Sequence, residues 1–269
     1  MKTKHLAKLF GAFVVAVVAA AAMAPLASAT TPAKGYEQFA GCPSPSENPI
    51  ITSCQHSSIY GGYVKLGNKE VPITSTITLS GGTNEFLEHF SYNSKGGLSA
   101  VKLKVPGGVI GFTGLTWLLE FLGSEALTLY AETQLAGTPT IHNLQEFTVP
   151  VKFHMINGVL GNNCFIGSNS GPVVWNLTTG TSGKLKGTPP KVSFQEEPQE
   201  ILFAKEGKYV DNTFSAPGAN GCVLTLFGFI PISINGIVNS SSGLPAASGT
   251  NEAVENITTE VAGSEVVYP

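Results

Sequence analysis

Short segments in which apolar and polar residues alternate run through most of the chain from Ile59 onward. In the clearest one, every second residue from Phe147 to Met155 is apolar and the residues between them are mainly polar. A period of two predicts a strand with one buried face. Pro150 lies within this segment and has no backbone N–H to donate, which predicts an edge position or a bulge there.

Weaker alternation and β-branched residues predict further strands, and glycine-rich turns separate them. The predicted strands are 63–66, 76–80, 101–105, 127–132, 173–178, 192–195 and 201–205. Many short strands with such turns are typical of a β-sandwich or barrel. We therefore predict one β-rich domain at 59–262, after an irregular lead at 30–58 and before a tail at 263–269.

The remaining segments of the domain are less regular. An apolar run at 223–230 predicts a buried strand that leads into a short helix or turn. The Ser/Gly/Ala-rich segment 240–249 predicts a loop. Residues 252–261 fit a last strand and a short helix equally poorly.

One segment has a helical period instead. Between Thr113 as a predicted cap and Gly123 as a predicted end, leucines recur at i, i+3, i+4 and i+7. The segment is apolar almost all round, which favours a core helix and leaves open an exposed surface for a lipid, a membrane or a partner. Its candidate ligand-contacting residues are Leu115, Trp117, Leu118, Phe121 and Leu122.

The first 29 residues have the pattern of a secretory signal peptide. Lys2, Lys4 and Lys8 precede an apolar run at 9–24, and a small-residue site ends at Ala29. An uncleaved membrane anchor is the alternative, but a span needs roughly 20 apolar residues. We expect cleavage after Ala29 and secretion to the extracellular space, with no anchor at the C-terminus, where 265–269 form neither a long apolar tail nor a basic stop.

Four cysteines, Cys42, Cys54, Cys164 and Cys222, follow this segment. An even number in an exported chain predicts two disulfides, which allow three pairings. We favour Cys42–Cys54 and Cys164–Cys222, because the first closes a Pro/Ser-rich loop and the second joins two Gly/Asn-rich turns. Metal binding or redox chemistry is the alternative, but no C-x-x-C pair or well-spaced histidine supports a metal site.

The charged residues exclude several classes of function. Every basic residue other than histidine is lysine, and Asp211 is the only aspartate. Without arginine there is no bidentate guanidinium for phosphate or carboxylate, and one aspartate cannot form a paired-aspartate site. Loss of the three lysines before residue 29 changes the net charge from −3 to −6. An acidic surface without arginine argues against nucleic acid or anionic lipid as a partner.

No common catalytic motif is present. Residues 167–171 resemble a nucleophile elbow, but Asn169 occupies the position of the nucleophile. The histidines at 56, 89, 142 and 154 are isolated, and the acidic group at 196–200 is typical of a solvated loop. Asp211 is predicted to form an Asx turn. We expect neither a cofactor nor a metal ion.

Two patterned stretches carry a resemblance to a known group of proteins. They are 160–168 (LGNNCFIGS) with 177–181 (LTTGT), and 210–222 (VDNTFSAPGANGC) with 243–249 (GLPAASG). They resemble a family of secreted actinobacterial proteins of unknown function, over about residues 39–254. The resemblance implies secretion and places Cys164 and Cys222 in the patterned parts. It assigns no catalytic residue.

Together these features predict a secreted, non-enzymatic, mostly β protein that binds a small hydrophobic ligand or a cell-envelope component. The ligand would lie in an apolar pocket or groove near the 115–122 helix. The alternative is a cell-envelope hydrolase with a site assembled from scattered Glu and His residues. Self-association through edge strands is a third hypothesis.

Overall fold

Strands make up most of the structure. The computed structural model describes residues 31–84, 89–118, 127–226 and 230–269, and the fold is 48% strand and 10% helix. The strands are β1 (Ser53–Leu66), β2 (Lys69–Pro72), β3 (Ile77–Thr83), β4 (Phe90–Ser91), β5 (Gly97–Leu98), β6 (Lys102–Lys104), β7 (Tyr130–Leu135), β8 (Thr140–Asn143), β9 (Glu146–Ile156), β10 (Phe165–Ile166), β11 (Val173–Thr178), β12 (Thr181–Ser182), β13 (Leu185–Lys186), β14 (Lys191–Gln195), β15 (Ile201–Asp211), β16 (Ala219–Asn220), β17 (Val223–Leu226), β18 (Ile230–Ser233) and β19 (Glu252–Gly263). The helices are α1 (Gly108–Thr113), α2 (Asn235–Ser242) and α3 (Ser264–Val267), and a 3₁₀ turn lies at Glu37–Phe39.

A 15-stranded antiparallel sheet forms the body of the molecule and curls into a half-barrel. Its main path is β16-β10-β9-β11-β15-β19-β1-β3-β4, and the remaining strands of this sheet pair alongside it. Two small hairpins, β12–β13 and β17–β18, lie outside this sheet. The mostly β class and the two disulfides predicted from the sequence are confirmed.

Strand β9 shows how the alternating pattern forms the sheet. Its apolar residues from Phe147 to Met155 are all buried, and the residues between them are partly exposed. β9 pairs with β11 and β10 along one side and with β7 and β8 along the other, so it is an interior strand rather than an edge strand. The Ala136 N–H donates to the Pro150 carbonyl at 2.9 Å, on the side where residues 136–139 leave the ladder. The nitrogen and the carbonyl of a strand residue point to the same side of the strand. The Pro150 nitrogen therefore also faces residues 136–139, where the ladder is interrupted and needs no N–H donor.

Two bulges next to β19 bend the sheet. The register of β1 against β19 shifts between Ile59 and Gly61, and that of β15 against β19 shifts between Ala204 and Gly207. A bulge adds a residue to one strand and increases the local twist. Gly62 has a φ of +111°, and a Cβ there would lie 1.9 Å from the Val254 carbonyl oxygen. The sharp bend in β1 therefore requires glycine at this position.

The curved sheet folds its concave face over the main apolar core. Side chains of β1 and β2 face those of β6, β7 and β9 across this core. Helices α1 and α2 lie at one end, where the Ser242 hydroxyl donates to the Phe112 carbonyl at 3.2 Å. Burial of this face supplies the main favourable free energy of folding.

A second, smaller core joins the N-terminal lead to the C-terminal residues. Phe39, Cys42 and Ile51 pack here with Val267 and Tyr268. The Tyr268 hydroxyl donates to the Cys42 carbonyl at 2.8 Å. Part of the predicted irregular lead is regular, because β1 begins at Ser53 and pairs with β19 from its first residue.

The helices differ from the single one predicted. Thr113 ends α1, where its hydroxyl donates to the Val109 carbonyl at 2.8 Å and also accepts a hydrogen bond from the Leu115 N–H at 3.2 Å. Residues 114–117 are not helical. Helix α1 contains two glycines, so burial of Val109 and Phe112 overrides its weak local propensity. Leu118 has helical backbone, but 119–122 and Gly123 lie outside the described residues. Helix α2 occupies part of the predicted 240–249 loop.

Both favoured disulfide pairings are present, Cys42–Cys54 and Cys164–Cys222. The two bridges close segments with sequence separations of 12 and 58 residues. Two disulfides are typical of proteins that fold in an oxidising, extracellular compartment. The longer closed segment constrains the unfolded chain more.

We expect the two disulfides to contribute unequally to stability. By loop-closure entropy, Cys164→Ala/Cys222→Ala lowers the free energy of unfolding by about 4 kcal/mol, and Cys42→Ala/Cys54→Ala lowers it by about 3 kcal/mol. Urea unfolding of both double variants and of the unaltered protein measures the difference. Equal losses, or a larger loss from the N-terminal pair, would contradict this order.

Candidate functional site

Three of the five residues predicted to contact a ligand lie within the part of the chain that the structure describes, and they differ in burial. Leu118 is only 2% exposed and belongs to the main core, and Leu115 packs against that core. Trp117 is 42% exposed. Phe121 and Leu122 lie outside the described residues. None of the four cavities described below is lined by Leu115, Trp117 or Leu118.

The concave core contains two small cavities. The first, of about 40 Å³, lies between β1–β2 and β6–β7–β9 and is lined almost entirely by apolar side chains. The second, of about 30 Å³, lies deeper, between β1, β9, β11 and β19. Each has room for water, whereas a cavity that holds benzene measures about 150 Å³. The interior as described is therefore too small for a hydrophobic ligand.

Polar groups face the second cavity in an otherwise apolar wall. Glu255 of β19 is fully buried there, and desolvation raises the pKa of its carboxyl to about 7. The Trp175 Nε1, also buried, has no hydrogen-bond partner among the described residues. Gln55 donates to Ser57 at 3.0 Å, and the Ser57 and Thr259 hydroxyls are 2.9 Å apart. These groups form a polar centre inside the core.

An open cleft beside α1 is much larger. Its volume is about 510 Å³, and it lies between the chain after β2, the end of β6 with α1, and the segment before β7. Val105 and Leu127 are buried at its floor, and Ile110 is half-buried. The exposed polar residues Thr74 and Lys104 also line it. The cleft thus offers one half-buried apolar side chain, Ile110, beside a buried apolar floor, and one cationic side chain.

A tight glycine turn shapes this cleft. Gly108 has a φ of +57°, and a Cβ at this position would lie 2.3 Å from the Leu127 carbonyl oxygen. The Val105 N–H donates to the Leu129 carbonyl at 2.9 Å, which holds the turn against the start of β7. Sequence reasoning missed the residues of this cleft, although the Pro106-Gly107-Gly108 run marks a close approach of backbones.

A second open groove has a different chemistry. It measures about 490 Å³ and is lined by small residues and prolines, including Pro172, Pro217 and Pro245. No charged side chain lines it. Among the two open sites, only the cleft beside α1 combines an apolar floor with a charge that can orient a ligand.

Two histidines lie opposite a glutamate in the sheet: His56 faces Glu260 in the β1–β19 ladder, and His154 faces Glu132 in the β7–β9 ladder. The His56 Nε2 and the Ser58 hydroxyl are 3.4 Å apart, but Gln38 donates to the Glu260 carboxylate at 2.9 Å. Burial lowers the pKa of His56, and Glu260 partly opposes this shift. None of the four cavities described above is lined by a histidine.

The other candidate polar residues have structural surroundings. Asp211 is fully buried and accepts hydrogen bonds from the Thr213 N–H, as an Asx turn requires, and from the Asn176 N–H, both at 2.7 Å. The His154 Nε2 lies 2.9 Å from the Asn162 carbonyl oxygen. The acidic residues Glu196, Glu197 and Glu200 are exposed, as the sequence predicts.

The described residues hold neither a cluster of metal-ligating side chains nor a membrane-spanning helix. Within residues 31–84, 89–118, 127–226 and 230–269, no group of three or more His, Cys, Asp or Glu side chains could hold a metal ion. Within the same residues, no helix has the length and apolar character needed to cross a membrane.

Comparisons with known proteins do not identify a function for the cleft. No protein-family model, no curated protein and no solved structure matches the chain. The cleft therefore has to be interpreted from its own geometry and chemistry.

Glu255 gives the free energy of unfolding a defined pH dependence. Its carboxyl has a pKa of about 7 in the folded protein and about 4.5 when unfolded, so the folded state holds the proton more tightly. Its contribution is most favourable below pH 4.5, declines as the pH rises to 7 and then stays constant, with a total loss of about 3 kcal/mol.

We expect Glu255→Gln to remove this loss, because glutamine resembles the neutral acid. Relative to the unaltered protein, the variant should gain about 3 kcal/mol between pH 4.5 and pH 8 in urea unfolding. A difference between the two proteins that stays constant over this range would show that Glu255 is not a buried neutral acid.

Proposed function

We propose that the protein is a secreted, non-catalytic binding protein, and that its open cleft beside α1 holds a small amphiphilic molecule. The observation that carries this proposal is the cleft itself, an open space of about 510 Å³ bordered by apolar side chains. Ligand sites in proteins measure about 300–1,000 Å³ and combine apolar walls with a few polar groups. The two interior cavities are an order of magnitude smaller.

The lining of the cleft indicates the class of ligand. Val105, Ile110 and Leu127 would contact an apolar body through its floor and wall. Lys104 is exposed at its border and would attract an anionic end, while the Thr74 hydroxyl offers a hydrogen bond. A molecule with a short hydrocarbon or aromatic body and one acidic group fits this arrangement, as would part of a cell-envelope lipid.

Export is the second part of the proposal. Both disulfides are formed, which agrees with an oxidising extracellular compartment. The signal-peptide pattern of residues 1–29 supplies the route. An extracellular protein with a small open site is suited to capturing a molecule from the medium or from the envelope.

If residues 1–29 are a cleaved signal, the secreted protein should begin at Thr30. Intact-mass and N-terminal peptide measurements on protein collected from culture medium test this expectation. Protein retained with the cells, with an intact Met1, would instead support an uncleaved anchor.

We expect Lys104→Gln to weaken the binding of 1-anilinonaphthalene-8-sulfonate, an anionic aromatic probe, by roughly threefold to tenfold. Binding of the uncharged probe N-phenyl-1-naphthylamine should not change. Ile110→Gln should weaken both probes, because it places a polar group beside the apolar floor. Titration of probe fluorescence measures each dissociation constant.

Lys102→Gln is the matched control for this experiment. Lys102 is exposed, lies on the same strand and on the same face as Lys104, and does not line the cleft. It should leave the affinity for both probes unchanged. Equal effects of the two lysine variants, or unchanged affinity in Ile110→Gln, would place the bound probe elsewhere.

A further inference from the structure

An edge strand carries the two most exposed large apolar side chains of the described residues. In β14, Val192 is 57% exposed and Phe194 is 59% exposed, and they share one face of the strand. β14 pairs with β15 along one edge, and no described strand pairs with the other edge. Such an edge presents unpaired backbone groups next to an uncovered apolar pair.

Contacts at both ends of β14 hold this edge strand. The loop after β14 returns to β15, and the Glu200 N–H within it donates to the Tyr36 hydroxyl oxygen at 2.9 Å. Lys191 pairs with Glu206 of β15 at 2.5 Å. A strand that is held before binding loses little conformational entropy when a partner adds to it.

From this arrangement we propose that β14 pairs antiparallel with β14 of a second copy of the chain. A twofold axis through Ser193 would place Val192 opposite Phe194 of the second copy, and the reverse. The four apolar side chains then cover one another on a single face, and the two curled sheets continue through the new ladder. A twofold axis makes such an interface self-complementary.

The sequence of β14 favours this register over its neighbours. A slip of one residue would place the apolar face of one copy beside Lys191, Ser193 and Gln195 of the other. A slip of two residues would bring Pro190 into the ladder in one direction and would place Val192 opposite Glu196 in the other. Proline cannot donate to a ladder, and a carboxylate opposite valine is partly desolvated.

Charge agrees with the same register. The two Lys191 side chains lie at opposite ends of the paired strands, so they do not repel each other at close range. Each faces Gln195 of the second copy, next to that copy's Glu196 and Glu197. A basic residue at one end of β14 and acidic residues at the other therefore match when the strands run antiparallel.

A five-residue ladder with one apolar face makes a small interface, so the dimer should form reversibly as concentration rises. Analytical ultracentrifugation of the full secreted chain should show a mass that increases towards twice that of the monomer. Val192→Ser/Phe194→Ser should remain monomeric over the same concentrations. A wild-type protein that stays monomeric throughout, or a double variant that still dimerises, would overturn the proposal.

The matched control is Ile230→Ser/Ile232→Ser, which removes two exposed apolar side chains at the same spacing from β18. This variant should dimerise as the wild type does. Loss of the dimer in this control, with dimerisation retained in the β14 variant, would move the interface to β18 and overturn the assignment.

A cysteine crosslink tests the register separately. Opposite residues of antiparallel strands have Cα atoms about 4.5–5.5 Å apart, which suits a disulfide. Ser193→Cys should therefore give a covalent dimer on mild oxidation. Lys191→Cys should not, because the two copies of this residue lie roughly 13 Å apart along the ladder. No crosslink at 193, or equal crosslinking at 191, would contradict the register.

Discussion

The structure depends on the curvature of one antiparallel sheet around its own concave face. The bulges in β1 and β15 flank β19 on both sides and let β1–β2 turn towards β6, β7 and β9. That turn buries the apolar residues of both walls and leaves cavities of only about 40 and 30 Å³ between them. Because the interior is filled by side chains, the larger spaces of the described fold are on the outside, where α1 and the glycine turn before it border the open cleft.

The polar centre around Glu255 is the exception to this apolar interior. A carboxyl without a counter-charge is costly to bury when ionised, so the proton stays on the group up to a pH of about 7. Strand β19 pairs with β1 and β15 along most of its length, and Glu255 lies in its first third. The strand that joins the two walls therefore also carries a buried carboxyl, which links the stability of the sheet to pH.

How far the sequence predicted the fold depended on how cleanly each strand separates apolar from polar residues. β9 was recognisable because its alternation is regular, and β11 because its six residues have the same period. β19 was ambiguous because Glu255 and Thr259 occupy core positions, and such polar residues remove the apolar signal. The pairing of the cysteines followed from their loops and is confirmed. The cleft could not be predicted, because Pro72, Ile110 and Leu127 come from three separate segments that meet only through long-range packing.

The central claim is that a small amphiphile binds in the open cleft and that the sheet interior stays closed. A ¹H–¹⁵N NMR titration with an alkyl carboxylate tests it most directly, because the Trp175 indole N–H reports on the interior and the backbone amides of 105, 107–110 and 127–128 report on the cleft. We expect the cleft amides to shift in a saturable way while the Trp175 indole signal stays in place. A shift of the Trp175 indole without saturable changes in the cleft would contradict the account.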